Sequence, residues 1–453
     1  MMLGIPNKRF RIGLLATGIV TMLWCLPGIG ARATLGAGVA VDEPQYLLSA
    51  TSLWDDLDLD ISDELAEERW RTYHEADLPR QTKVLADGRE VSPHDPLLPL
   101  VLAVPMGIGG WVGAKVAMAA MAGLLAAAML WVAVRRLHVA PRRAALAVAC
   151  FSLSAPLTVY GTQVYPELPG ALALTLGLGA VLGRDERRSA IGAGLAVVAL
   201  PWLSVKYAPV AAVLAALALW RLPRQRVALL TWFVLNGVGF AVGHHLLYGG
   251  LTPYAAGDHF VGGEATVAGT DPDWLGRSRR LLALLVDRDY GLVAWQPAWL
   301  LALPAFAAGV RRRDPLVAVL VAGWLTATFV ALTMHGFWWP GRQTVVVLPV
   351  AVLLIARWTP TRVLAVGTAI GAAIWLWFVL GDSTFVVHWR THSWLRPLLV
   401  PANHDVRLAA WAAIAAGLLA LGFLWRGDED AGAGERAHAD GALAHADGHR
   451  PVG

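Results

Sequence analysis

Along this chain, apolar runs nearly free of charge alternate with short polar connections. Several runs reach roughly 18 to 25 residues, enough to cross a hydrocarbon core of about 30 Å. The first extends from about Ile12 to Ile29, behind the basic Lys8-Arg9-Phe10-Arg11. A signal peptide begins in the same way, and Ala31-Arg32-Ala33 is like a cleavage site. The run is long for a signal core, however, and reads better as a retained helix. The whole pattern predicts an all-α, polytopic membrane bundle of about 11 to 13 transmembrane helices.

One polar interruption stands out. Asp42 to Asp95 holds 15 of the chain's 33 acidic residues against five basic ones. Within it Leu53, Leu57, Ile61, Leu65 and Trp70 fall at helix-like spacing, which predicts amphipathic juxtamembrane helices over Trp54 to Trp70. Arginine clusters mark other connections: Arg135 to Arg143, Arg184 to Arg188, Arg221 to Arg226, Arg311 to Arg313 and Arg357 to Arg362. The positive-inside rule makes these cytoplasmic. The turns without such clusters then lie outside: Tyr160–Pro169, Trp202–Tyr207, Tyr248–Arg280, His335–Arg342 and Asp382–Arg407. Loss of a signal peptide would remove one span and invert none of the others. The expected organisation is a membrane module over residues 1–425, with its main external loop at about 42–95. Residues 426–453 read as a disordered cytoplasmic tail, rich in Gly, Ala, Asp and His.

Composition agrees with the pattern. The chain is 57% hydrophobic and 15% charged, where a soluble protein carries roughly 25% charged residues. A soluble enzyme and a nucleic-acid binder are thereby excluded, and the net charge of +4 belongs to arginine-rich turns facing lipid headgroups. Cys25 and Cys150 both sit in apolar runs and form no disulfide framework. No glycine-rich loop followed by Lys-Ser/Thr is present, so ATP-driven transport has no support.

Scarcity makes the remaining charges informative. Asp42-Glu43-Pro44 follows the first span directly, and carboxylates at a membrane boundary are costly unless they line a cavity. There a carboxylate can deprotonate an acceptor hydroxyl or hold a divalent cation. The plain alternative is an acidic helix end in water. Asp42-Glu43-Pro44-Gln45-Tyr46, an external loop with amphipathic helices, and then Ser92-Pro93-His94-Asp95-Pro96-Leu97 leading into the second span together resemble the opening of the GT-C membrane glycosyltransferases. The chain is most similar in layout to bacterial protein O-mannosyltransferases and lipid A aminoarabinose transferases. The resemblance is specific over about the first hundred residues.

That resemblance implies inverting transfer of a sugar from a polyprenyl-phosphate-linked donor to a glycan, lipid or protein acceptor. The site would lie on the extracytoplasmic face of a bacterial inner membrane. It implies Asp42 as catalytic base with Glu43 as helper or metal ligand. Where relatives often carry Lys-Pro-Pro, this chain has His94-Asp95-Pro96, which leaves His94 open as a donor or acceptor contact. A lipid-linked phosphate needs cations near the external surface. Lys206, beside Tyr207, interrupts an apolar region, and a membrane-embedded lysine points to function unless it snorkels to the headgroups. Arg342 can chelate phosphate through two N–H groups, next to His335, Trp338 and Trp339, whose rings suit sugar packing or simple interfacial anchoring. Glu167, two residues after Tyr165, is the only acid between Asp95 and Asp185 and is a candidate for sugar or acceptor hydroxyls. No cofactor is identified apart from the possible divalent cation. The rival reading is a transporter or flippase for a lipid-linked or small solute, whose mark would be paired broken helices in two related halves. No such repeat is visible in the sequence.

Overall fold

The structure is a computed structural model that describes residues 8–31, 38–39, 41–260, 263–264, 266–267, 269, 271, 273–288, 291–333, 341–381 and 405–424. Among these residues the regular structure is helical, with only isolated β-bridges besides. The protein is an all-α, multi-pass membrane bundle. Six helical stretches are long and apolar enough to cross a membrane: Lys8–Gly30, Leu97–Arg135, Pro223–Ala256, Leu316–Thr333, Thr361–Leu380 and Val406–Leu424. Other apolar runs fold as shorter helices.

The helices that matter for the site are α1 (Lys8–Cys25), α2 (Glu43–Asp55), α3 (Ser62–Ala66), α4 (Leu97–Arg135), α5 (Pro141–Ser152), α6 (Leu157–Tyr160), α7 (Glu167–Val181), α8 (Glu186–Leu203), α9 (Ala208–Arg221) and α10 (Arg226–Tyr248). Between α8 and α9 lies a 3-10 turn, Val205–Tyr207, and a second 3-10 segment, Arg342–Val347, follows the span Leu316–Thr333. α4 packs against α1, α2 and α7, and α7 against α8. One contiguous apolar core runs through these contacts. α10 instead exposes Val227, Leu230, Val234, Leu235 and Val238, an apolar face suited to lipid.

At 39 residues, α4 would measure about 58 Å if straight, nearly twice a hydrocarbon core. It is not straight. Pro105 removes a backbone donor, and Gly110 adopts φ 58°, ψ −157°, a conformation open essentially to glycine. The kink separates an outer segment, against which Trp54 of α2 packs at Gly107, from an inner segment that reaches the core.

The polar loop over residues 42–95 is built rather than draped. α2 buries most of its residues from Glu43 to Ser52. The helices expected over Trp54–Trp70 occur as the end of α2 and the short α3, with a break between them. Leu57 takes φ 63° and faces solvent, because Asp58 and Asp60 prefer turn bonds to helix. Ser52 Oγ donates to Asp58 Oδ1 at 2.9 Å, and the Ser62 amide donates to Asp60 Oδ1 at 3.2 Å. The loop is also stitched to the segment that follows α10. Lys83 N donates to Ala256 O at 2.9 Å, and Asp258 N to Gln81 O at 3.1 Å.

Candidate active site

Four charged side chains from four separate stretches meet beneath this roof. Asp42 is the residue before α2, where an aspartate ordinarily turns its carboxylate back onto the helix's own amides. Here no such bond forms, and Asp42 Oδ2 accepts a short hydrogen bond from Arg342 Nη2 instead. Arg342 opens its 3-10 segment behind Gly341, whose φ of 59° and contact with Leu292 leave no room for a side chain. Its Nε donates to Glu167 Oε1 at 3.1 Å. Lys206, in the turn between α8 and α9, donates to the same oxygen at 2.6 Å and to Gln343 Oε1 at 3.3 Å.

Aromatic rings floor this cage. The Arg342 guanidinium lies 4.4 Å from the Tyr165 ring centroid, and Lys206 Nζ 5.3 Å from that of Tyr207, each a cation over a π face. Side-chain exposure falls from 19% at Asp42 to 9% at Arg342 and 1% at Glu167. Asp42 is therefore the member nearest to solvent. Burial disfavours its charged form, but Arg342 and neighbouring positive groups outweigh that and hold its carboxyl well below the usual range.

The cage opens into a cavity of about 410 Å³ lined by Asp42, Tyr46, His94, Lys206, Arg342 and Gln343, among others. His94 stacks on Tyr46 with ring centroids 4.5 Å apart, and its Nε2 is buried without a partner. Burial pushes its imidazole down to about 4, so it is neutral near pH 7. Glu167 Oε2 and the hydroxyls of Tyr160 and Tyr207 are likewise buried and unpartnered. The site thus offers a neutral imidazole, spare oxygens and two cations.

Some predicted residues fall elsewhere. Glu43 points away from the cage: its Oε1 accepts from Val164 N at 2.8 Å and lies 3.9 Å from Lys115 Nζ. Lys115 in turn donates to Gly38 O at 2.8 Å. Asp42 and Glu43 therefore engage different partners and do not converge on one ion. Tyr165 and Tyr207 each turn a ring face to a cation, and the Tyr207 hydroxyl is one of the unpartnered oxygens. His335, Trp338 and Trp339 lie outside the described residues, as do residues 382–404 and the tail.

Other contacts were not expected from the sequence. Asp95 is buried, accepting from Val205 N at 2.9 Å and lying 2.9 Å from His244 Nε2. His244 Nδ1 lies 2.9 Å from the Phe240 carbonyl. That oxygen only accepts, so Nδ1 carries a proton and the Asp95–His244 contact holds another. Burial raises the proton affinity of Asp95. Tyr248 Oη donates to His94 O at 2.8 Å, so α10 braces both residues of the His94-Asp95 dipeptide. Through Val205, Asp95 also fixes the turn bearing Lys206. The available signal was a histidine within the apolar run of α10, overlooked because it lies about 150 positions from its partner.

No family model and no curated protein sequence matches this chain. Among solved structures it is similar to the crystal structure of ArnT from Cupriavidus metallidurans bound to undecaprenyl phosphate. The two share 14% identity over 92% of this chain and 76% of that one, with a TM-score of 0.43.

Proposed function

We propose that the protein transfers a sugar from a polyprenyl-phosphate-linked donor to an acceptor hydroxyl, with inversion, at the extracytoplasmic face of a bacterial inner membrane. The observation that carries this reading is the cage, in which Arg342 and Lys206 stand ready for an anion while Arg342 also holds the carboxylate of Asp42.

Empty, the cage is internally neutral, two cations against two carboxylates. A phosphate entering from the cavity competes for Arg342 through its paired N–H groups, the stronger geometry for a tetrahedral oxyanion. Asp42 then loses the charge that depresses its proton affinity and becomes a competent base. It takes the proton of the acceptor hydroxyl as that oxygen bonds to the anomeric carbon. The bond from the anomeric carbon to phosphate oxygen breaks, and polyprenyl phosphate departs with its new negative charge met by Arg342 and Lys206. Preorganised cations in a dry site are the larger share of such catalysis. An apolar cavity of about 260 Å³ lined by Leu292, Trp299, Val347 and Leu348, among others, adjoins the far end of the Arg342–Val347 turn and suits a prenyl chain. Glu43 serves in this reading as the anchor of α2, not as a second base.

The test is transfer by purified protein in lipid vesicles, from synthetic polyprenyl-phosphate mannose, arabinofuranose and aminoarabinose to envelope acceptors. Asp42→Asn should retain donor binding and lose transfer by about 10²-fold or more. Full transfer by that variant would remove Asp42 from the base role. Accumulation of donor across the bilayer without transfer would favour the transport reading.

A further inference from the structure

The far end of α2 carries a second cluster, remote in function from the cage. Asp56 follows the last residue of α2, and Asp63 and Glu64 lie in the first turn of α3. One carboxylate oxygen from each lies within 4.8 Å of the others. Asp56 and Asp63 are exposed, whereas Glu64 is completely buried. Beyond Asp63 and its own backbone, Glu64 meets no hydrogen-bond donor, and the nearby Tyr73 hydroxyl, which feels the Glu64 charge, is also buried without a partner.

Arg69 is the one nearby cation that favours its charge, and it ranks behind burial and Asp63. Arg69 is held by Asp55 at 2.5 Å and Glu67 at 2.8 Å, and Arg71 by Glu68 at 2.5 Å. Asp58 and Asp60 are spent on turn bonds. A fully buried carboxyl group whose side-chain neighbours in the cluster are two more acids is a costly arrangement in isolation.

We infer that Asp56, Asp63 and Glu64 form a binding site for Ca²⁺. An all-oxygen, anionic set with two members open to water suits a hard cation that completes its shell with waters. The flexible ligand number of Ca²⁺ fits an irregular turn better than the strict octahedron of Mg²⁺. An ion there would tie α3 to the end of α2, whose other end presents Asp42 about 20 Å away. The site is a structural clamp on the external loop, with affinity in the range of extracellular modules, about 10⁻⁴ to 10⁻³ M. It stands whether or not the protein moves sugars.

The experiment uses the full chain in detergent, stripped with chelator and titrated with CaCl₂ at constant ionic strength, reading the thermal unfolding midpoint. A saturable rise is expected, with a half-maximal concentration raised tenfold or more by Asp56→Asn, Asp63→Asn and Glu64→Gln. Asp77→Asn, at an exposed acid of the same loop, should leave it unchanged. Because Asp56 and Asp63 are exposed, their variants decide the matter even if the Glu64 variant does not fold. No saturable rise, an equal rise with MgCl₂, or an unaltered midpoint in the Asp56 and Asp63 variants would overturn the assignment.

Discussion

Arg342 serves two carboxylates at once, and that sharing makes the acid–base behaviour of Asp42 a property of the cage. With the guanidinium in place, the Asp42 carboxyl lies well below its ordinary range. In the ligand-free protein it is therefore ionised throughout physiological pH, and under the proposed reaction it contributes no acidic limb to kcat/KM between about pH 7 and pH 5. Removing the positive charge takes away the largest influence opposing burial and raises its proton affinity. Arg342→Gln should thus lower kcat/KM overall and also make it fall as pH drops through the same window. A pH-independent ratio of variant to wild type would sever the link between the two residues. Arg342→Lys keeps the charge but loses the fork that joins Asp42 and Glu167, and should restore the flat profile without the full rate. His94 is held near 4, so it stays neutral over this range and its replacement should change rate but not profile.

At the scale of elements, α2 is gripped at both ends, and the inner grip is the buried Glu43–Lys115 pair, both side chains at 0% exposure. Such a pair adds little net stability over an apolar replacement, but removing one partner strands a buried charge. Glu43→Gln should cost about 3 kcal/mol, read as a lower unfolding midpoint and reduced monodisperse yield. Glu43→Gln with Lys115→Met should recover most of that loss, whereas Lys115→Met should not rescue Asp42→Asn, whose partner is Arg342. Failure of Lys115→Met to rescue the Glu43 variant would contradict this division of labour. The sequence made Asp42 and Glu43 look alike, because adjacent carboxylates cannot be told apart without the direction of each side chain. The kink of α4 was hidden for a related reason: a glycine within a long apolar run costs little in pattern, and only its φ of 58° reveals the turn. Gly110→Ala, strained in that conformation by about 1 to 3 kcal/mol, should lower the same midpoint.

Across the whole molecule, much was legible because membranes impose coarse rules. Apolar run length predicted helices, and isolated charges in apolar surroundings predicted the meeting of Lys206, Glu167 and Arg342. Long-range partners such as Asp95 and His244 were not legible, since nothing local in either segment specifies the other. Sidedness is the remaining global inference, and the fold makes it testable. α7 begins at Glu167 in the cage and ends beside Arg184, while α8 runs back from the Arg187-Arg188 end to the Lys206 turn. Cage and arginine clusters thus occupy opposite ends of the same helices. The positive-inside rule then predicts a cage that faces outward. Both native cysteines are fully buried, so single reporters can be added to an otherwise silent background. Asp77→Cys, at a side chain 97% exposed in the external loop, should react with an impermeant maleimide in right-side-out vesicles. Arg188→Cys, 89% exposed at the opposite end, should react only in inverted ones. The reverse labelling would place the cage in the cytoplasm, where an outer-leaflet sugar donor cannot reach Asp42.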